Sequence, residues 1–203
     1  MLQTFITEFV AFMEHGGVVM LPLAIAVLIL WYAIGYRFAT LKRGNPRSVR
    51  RLIGRYAQHR EQNPKGIIDS AVVQGLQMAE IYQHNLRSHL DGAFAEYSRE
   101  MSKYSKLIMT IVAAAPLTGL LGTVTGMIET FDSLVSANLF AQNGGGIAGG
   151  ISQALFTTQM GLVVAIPGLI IGRALDRKQQ RMEFELEQIK DILCSKQQME
   201  SLS

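Results

Sequence analysis

All 19 lysine and arginine residues of this 203-residue chain lie between Arg37 and Lys106 or beyond Gly172, so residues 1–36 and 107–172 carry no basic side chain. Basic residues accumulate on the side of a bilayer where the chain is retained, because moving them across is costly. The two basic-free stretches therefore read as membrane or as the far side of it, and the layout needs an odd number of crossings. Three uncharged stretches supply them. The first is Gly16–Tyr36, with Trp31, Tyr32 and Tyr36 toward the end that meets the basic segment, where aromatic side chains suit a headgroup boundary. The others are Leu107–Ile128 and Ile151–Gly172. As helices these two are each about 33 Å long, against a hydrocarbon core of about 30 Å. With the N-terminus outside, residues 37–106 and 173–203 are inside and every basic residue falls on one side.

The charge surplus follows the same logic. A sequence pI near 9.1 invites a nucleic-acid reading. However, the surplus sits in residues 37–106, where basic side chains outnumber acidic ones about two to one and cluster beside the first and second spans. Juxtamembrane retention accounts for that pattern, and no nucleic-acid partner is expected. A mean hydropathy of +0.21 fits a chain that is partly membrane and partly aqueous. Residues 1–36 lack the positive n-region of a secretory signal, so the first span is expected to stay as an anchor. Cys194 is the single cysteine and supports no disulfide. His15, His59, His84 and His89 lack metal-ligand spacing, and no nucleophile, base and orienting group converge. The reading is of a non-enzyme with no metal and no cofactor.

The expected fold is an all-α membrane protein with three transmembrane helices, the second and third extending as long helices into the cytoplasm. Residues 1–15 place Phe5, Phe9, Phe12 and Met13 at helical spacing and predict a short external amphipathic helix. The first span covers 16–36. A cytoplasmic helical loop covers 37–106, with a basic helix from about Arg47 to Glu61 that Asn63, Pro64 and Gly66 break. Leu86, Leu90, Phe94, Tyr97, Met101, Tyr104 and Ile108 then run at steps of three and four into the second span, predicting one continuous helix from about Asp69 or later through Phe131. The second span covers 107–135, a short Gly-rich external loop covers 136–150, and the third span covers 151–172. Leu175, Met182, Leu186, Ile189 and Leu193 continue the last helix through 173–203. Pro22, Pro116 and Pro167 predict local kinks inside the spans.

On a helical wheel the second span separates into two faces. Leu117, Leu120, Leu121, Val124 and Ile128 form a bulky one, and Gly119, Gly122, Thr123, Gly126 and Thr130 lie opposite. In the third span Ala154, Thr158, Gly161, Ala165 and Gly168 share a face. Small residues let helix backbones approach, so these faces are expected to pack helices and to seal a homo-oligomer. Counted along the helices from Leu107 and from Gly172, Thr123 and Thr158 both come about 21–24 Å from the inner boundary and can share one level. A membrane threonine often satisfies its hydroxyl on its own helix one turn back, so the depth match leaves a packing role and a path-lining role both open. Glu129 and Asp132 come at the outer end, where carboxylates hydrate. No titratable residue lies in the central part of any span. Threonine does not exchange a proton near neutral pH, so a proton path here would need a carboxylate from another chain.

The stretches Pro116-Leu-Thr-Gly-Leu-Leu-Gly-Thr-Val-Thr-Gly-Met-Ile-Glu-Thr-Phe131 and Gly149-Gly-Ile-Ser-Gln-Ala-Leu-Phe-Thr-Thr-Gln-Met-Gly-Leu-Val-Val-Ala-Ile-Pro-Gly168 resemble the second and third spans of the ExbB/TolQ/MotA proton-channel family, most closely its ExbB branch. The resemblance implies a bacterial inner-membrane protein, periplasmic at the N-terminus and cytoplasmic at the C-terminus. It implies a pentameric ring around single-span ExbD-like partners, each bringing a membrane aspartate, and proton flow that drives a TonB-like protein in outer-membrane import. Thr123 and Thr158 would then surround the partner's aspartate. Where ExbB and TolQ chains commonly carry an acidic residue at the outer start of the third span, this sequence has Gln153, which leaves pore-mouth charge to Glu129, Asp132 or the partner. A TolQ-like role in outer-membrane integrity is the alternative within the family. Three spans count against a MotA-type chain. A nonconducting membrane scaffold is the alternative from another class.

Overall fold

A computed structural model describes residues 19–45, 48–58, 64, 66–82, 84–137 and 145–201. The described residues form six helices and no strand: α1 (Met20–Thr40), α2 (Val49–Gln58), α3 (Ile67–Ile81), α4 (Leu86–Ser102), α5 (Ser105–Ala137) and α6 (Gly145–Ser201). Three stretches are long and apolar enough to cross a membrane, within Met20–Thr40, Leu86–Asp132 and Gly149–Gln197. The chain divides into two compact units, one running to Ile34 and resuming over Lys106–Gly172, the other made of Gly35–Ser105 and the chain from Arg173 onward.

The first unit holds the three spans. Met20 and Leu23 of α1, Ala115 of α5 and Ala165 of α6 form its buried cluster, with Phe156, Met160 and Val164 packed around it. Further along, Leu30 of α1 comes so near Gly168 that a β-carbon there would lie 3.0 Å from it. The outward faces are apolar and exposed, including Leu28, Trp31, Tyr32, Leu117, Leu155 and Ile166. Such a surface suits lipid and not water. Pro22 sits in the first turn of α1, where the missing N–H has no helical partner to lose, while Pro116 and Pro167 lie inside α5 and α6, which continue through them.

The second unit is a helical bundle built on the final stretch of α6, from Arg173 to Ser201. Leu175, Met182, Leu186, Ile189 and Leu193 are its buried stripe. Buried in the same unit are Val49, Leu52, Ile53 and Tyr56 of α2, Ile68, Ala71, Val72 and Gly75 of α3, and Leu86, Leu90, Phe94 and Met101 of α4, at the spacing that gives a helix one apolar face, and Gly75 lies against Leu193, Ile189 and Phe94. Gly66 lets residues 42–44 cross over the start of α3, since a β-carbon there would fall 2.6 Å from the Lys42 carbonyl oxygen. Buried Asp69 accepts the Asn45 N–H at 3.3 Å. Burial, reinforced by this carboxylate, raises the Tyr56 phenol above its ordinary pKa. Bonds from Arg43 to Glu185 at 2.7 Å and from Lys190 to Asp91 at 2.7 Å join the bundle's charged rim.

One expectation is corrected. The continuous helix expected from about Asp69 or later through Phe131 is interrupted at Lys103–Tyr104, between α4 and α5, and α3 is a separate helix that ends at Ile81. Asn85 and Tyr104 take left-handed conformations, with φ of 58° and 64°. For a bulky residue such as Tyr104 that geometry is costly, so its surroundings must hold it. They do so by stacking: its ring meets Tyr36 edge-on at 5.1 Å, and the Lys103 ammonium lies 5.3 Å and 5.5 Å from the two ring centroids. A periodicity argument reads apolar spacing straight through such a break, because the short turn preserves the buried face on either side. The basic helix expected over 47–61 is described from Val49 to Gln58. The glycine-rich segment is helical from Gly145 onward, so the last helix begins earlier than its first apolar residues suggest. The amphipathic helix expected at 1–15 lies outside the described residues.

Candidate ion-path edge of the helix pair

The second and third spans form an antiparallel pair at backbone contact, and glycine sets the distance. A β-carbon at Gly119 would lie 2.9 Å from the Thr157 carbonyl oxygen, and one at Gly161 would lie 2.7 Å from that of Ala115. At Gly122 it would collide with the Thr157 side chain. Gly126 faces Ala154 in the same way, with 3.1 Å to that residue's β-carbon. Gly119, Gly122, Gly126, Ala154, Gly161 and Ala165 are all buried. The small faces of the two spans therefore occupy each other inside one chain. This changes the expectation that they seal contacts between copies: a face already in backbone contact within the monomer has no room for a neighbour.

The threonines sit at one edge of this seam. Thr123 and Thr158 are both half-buried. The Thr158 hydroxyl donates across the pair to the Gly119 carbonyl at 3.1 Å, and that of Thr123 donates to its own helix at the Leu120 carbonyl, 2.7 Å away. Because Gly119 is four residues from Thr123, the two threonines lie within about one helical turn, or about 6 Å, in depth. They make no bond to each other. Glu129 is six residues, about 9 Å, farther out on α5 and is exposed. Asp132 is exposed as well, and Gln153 belongs to α6, its side chain lying outside the described set. Glu129 and Asp132 thus lie beyond Thr123, toward the outer end of α5.

Sequence reasoning passed over Thr157. It is 1% exposed, fills the notch opposite Gly122, and donates to the Ala154 carbonyl at 2.8 Å. Its signal was the pairing of one larger residue with the 119–122–126 glycine spacing, which leaves a hole a single side chain wide.

The chemistry open to this edge is narrow. Residues 107–128 and 151–172 contain no Asp, Glu, His, Lys or Arg, so their polar side chains are the hydroxyls of Ser and Thr and the carboxamides of Gln153 and Gln159. A threonine hydroxyl that donates to a carbonyl keeps lone pairs that can accept from a protonated carboxylic acid, and on rotating it can donate to a carboxylate. Such an edge can solvate a carboxyl group in both protonation states and cannot itself carry a proton. Among the described residues no cluster of His, Cys, Asp or Glu could hold a metal.

Comparison with known proteins places this geometry. The chain is 29% identical over 177 residues to a biopolymer transport protein ExbB of Pseudomonas putida, covering 76% of this chain and 51% of that one. It is 36% identical over 95 residues to an ExbB of Aquifex aeolicus, 47% of this chain and 63% of the relative. It is 35% identical over 82 residues to an ExbB of Salmonella typhimurium, 40% and 33% of the two chains. The chain thus spans between a third and just under two-thirds of the length of these relatives. A sequence profile of the MotA/TolQ/ExbB proton channel family matches residues 63–188, a stretch that holds the glycine-set helix pair and both threonines, and the chain belongs to that family.

Proposed function

We propose that this protein is a proton-channel subunit of an inner-membrane energy-transducing complex that uses proton motive force to drive TonB-dependent outer-membrane import. The observation that carries the proposal is the threonine edge. Two hydroxyls within one turn in depth line a seam that has no titratable group of its own, which is what a site completed by another chain's carboxylate needs. The partner is a single-span, ExbD-like helix with a membrane aspartate, and the load is a TonB-like protein. The subunits form a homo-oligomer, a pentamer in this reading. Because the small faces are filled within each chain, copies meet through exposed bulky faces such as Leu117, Leu120, Val124 and Ile128. Glu129 and Asp132 at the outer end serve as a hydrated mouth in place of the acid that Gln153 lacks.

The protein lies in a bacterial inner membrane with residues 37–106 and 173–203 in the cytoplasm. Labelling of single-cysteine variants on a Cys194→Ser background in intact cells tests this. An impermeant reagent is expected to modify Asn143→Cys and to spare Ser48→Cys; the reverse pattern rejects the orientation.

The functional test is proton flux after co-reconstitution with the partner. Thr123→Val and Thr158→Val keep shape and remove the hydroxyl. Each gives up a hydrogen bond worth about 0.6 kcal/mol inside a membrane, so assembly survives. Flux is expected to fall at least about tenfold, a loss of about 1.4 kcal/mol of carboxyl solvation. Full flux in the double variant would return both hydroxyls to a packing role, which their backbone bonds already suit. Flux without any partner would refute the shared site.

A further inference from the structure

The helical bundle of the second unit exposes two faces of opposite charge. Between α4 and α6 lies a groove of about 700 Å³. Asp91, Glu183 and Glu187 line it together with Lys190, whose ammonium already bonds Asp91 and Glu187. One cation does not neutralise three carboxylates. In the same wall Phe184 is 64% exposed, a large apolar surface beside charge that a docked side chain would cover.

The other face is that of α2, which carries Arg50, Arg51 and Arg55 and no acidic residue. Its apolar side is buried, while Arg50, Arg51 and Gly54 are exposed. None of the three arginines has an ion pair among the described residues. α3 packs against both α2 and α4 and lies between them, so a chain does not turn its own arginines into its own groove. The two faces nevertheless match in level. Ser48, Val49 and Arg50 share a cleft with Gln188, Asp191 and Ile192 of α6, and the acidic groove reaches Asp91 where it bonds Lys190. Both lie within about one turn of Lys190 along α6.

We propose that α2 of one copy docks its arginines into the α4–α6 groove of the next, with Arg50 and Arg51 against Asp91 and Glu187 and an arginine stem over Phe184. The contact rests on the homo-oligomer of the proposed function and assigns it a surface outside the spans. Arginine suits the groove because its guanidinium binds carboxylates as a fork and stacks on an aromatic ring. Each copy gives one face and receives the other, which is the head-to-tail arrangement that builds a ring.

Gly54→Cys and Ala95→Cys on a Cys194→Ser background place one thiol at each face and remove no charge. Both positions are exposed, and a β-carbon at Gly54 meets nothing within 4 Å. Full-length protein in membranes is treated with a flexible bis-maleimide, and the oligomer mass is measured separately by native mass spectrometry. The double variant is expected to give a ladder up to the full oligomer. The two single variants expressed together should give dimers at most, and each alone should give none. Adding Arg51→Glu to the double variant sets like charges face to face and should cut the ladder at least about tenfold. Gln58→Cys, one turn along the same exposed side, replaces Gly54→Cys if that variant does not fold. Dimers from a single variant alone would mean that like faces meet, and a ladder unchanged by Arg51→Glu would mean that charge does not hold the contact. A full-mass oligomer without a ladder would leave the groove to another occupant, such as a basic segment of the partner protein. Each of these overturns the contact and leaves the homo-oligomer standing, whereas a stable monomer by mass would overturn both.

Discussion

Gly122→Leu is expected to destabilise the membrane helix pair by about 3 kcal/mol or more and to prevent the protein from accumulating in the membrane. Even the first carbon of a side chain at this position runs into the hydroxyl and both carbons of the Thr157 side chain, which is 1% exposed. Thr157 cannot swing away, because Gly119 on the facing helix is already at contact distance with the Thr157 carbonyl. The helices would have to separate, and the close packing on either side of this level, Gly161 on Ala115 and Gly126 on Ala154, would be lost with it. Val124→Leu, two residues away and 51% exposed, is expected to change stability by no more than about 0.5 kcal/mol. Thermal unfolding of purified protein in detergent compares the two. Gly122→Ala paired with Thr157→Ala makes the assignment specific, since trimming Thr157 removes the atoms that the new methyl meets. The pair should be more stable than Gly122→Ala alone. If Gly122→Leu unfolds like Val124→Leu, the glycine does not set the helix separation.

Much of this arrangement was legible in the chain because a membrane makes charge and size unusually informative. The absence of basic residues from 1–36 and 107–172 marked the spans, since few residue types tolerate hydrocarbon. The 182–186–189–193 spacing gave the buried stripe of α6 for the same reason that any amphipathic helix shows one. What a wheel does not carry is the identity of the facing surface. Gly119 and Gly161 looked equally suited to a neighbouring copy and to the same chain, and only the three-dimensional pairing assigns them to the latter. The break at Tyr104 was hidden as well. Its left-handed backbone depends on Tyr36 and Lys103, and Tyr36 belongs to α1, with three helices intervening in sequence. For the candidate site, the threonine depths could be computed from helix rise alone, but their bonding partners could not. Thr158 reaching Gly119 across the pair is a tertiary fact.

Arg37→Met is expected to cost about 3–5 kcal/mol, and Arg37→Met combined with Asp176→Leu to recover most of it. Arg37 is the first basic residue of the chain, and the positive-inside pattern reads it as a charge facing headgroups. The structure buries it instead, with its side chain 1% exposed. One guanidinium nitrogen donates to Asp176 at 2.7 Å, a second bonds Gln179, and Ser105 adds a bond to the same Asp176 oxygen at 2.7 Å. The end of α1, the start of α5 and the middle of α6 are thereby joined through one cation. The Arg37 Nε is buried with no partner. The network therefore does not fully repay the desolvation of the guanidinium, and an apolar replacement of both charges should be tolerated better than loss of one. Removing Arg37 alone leaves the Asp176 carboxylate, 27% exposed, without its counter-charge. Removing Asp176 alone leaves a buried cation and should be at least as damaging. Thermal unfolding of the two single variants and the double variant completes the cycle. A double variant no better than the sum of the singles would mean that the two residues act independently, and Arg37→Met within about 1 kcal/mol of wild type would mean that the guanidinium is hydrated and not buried.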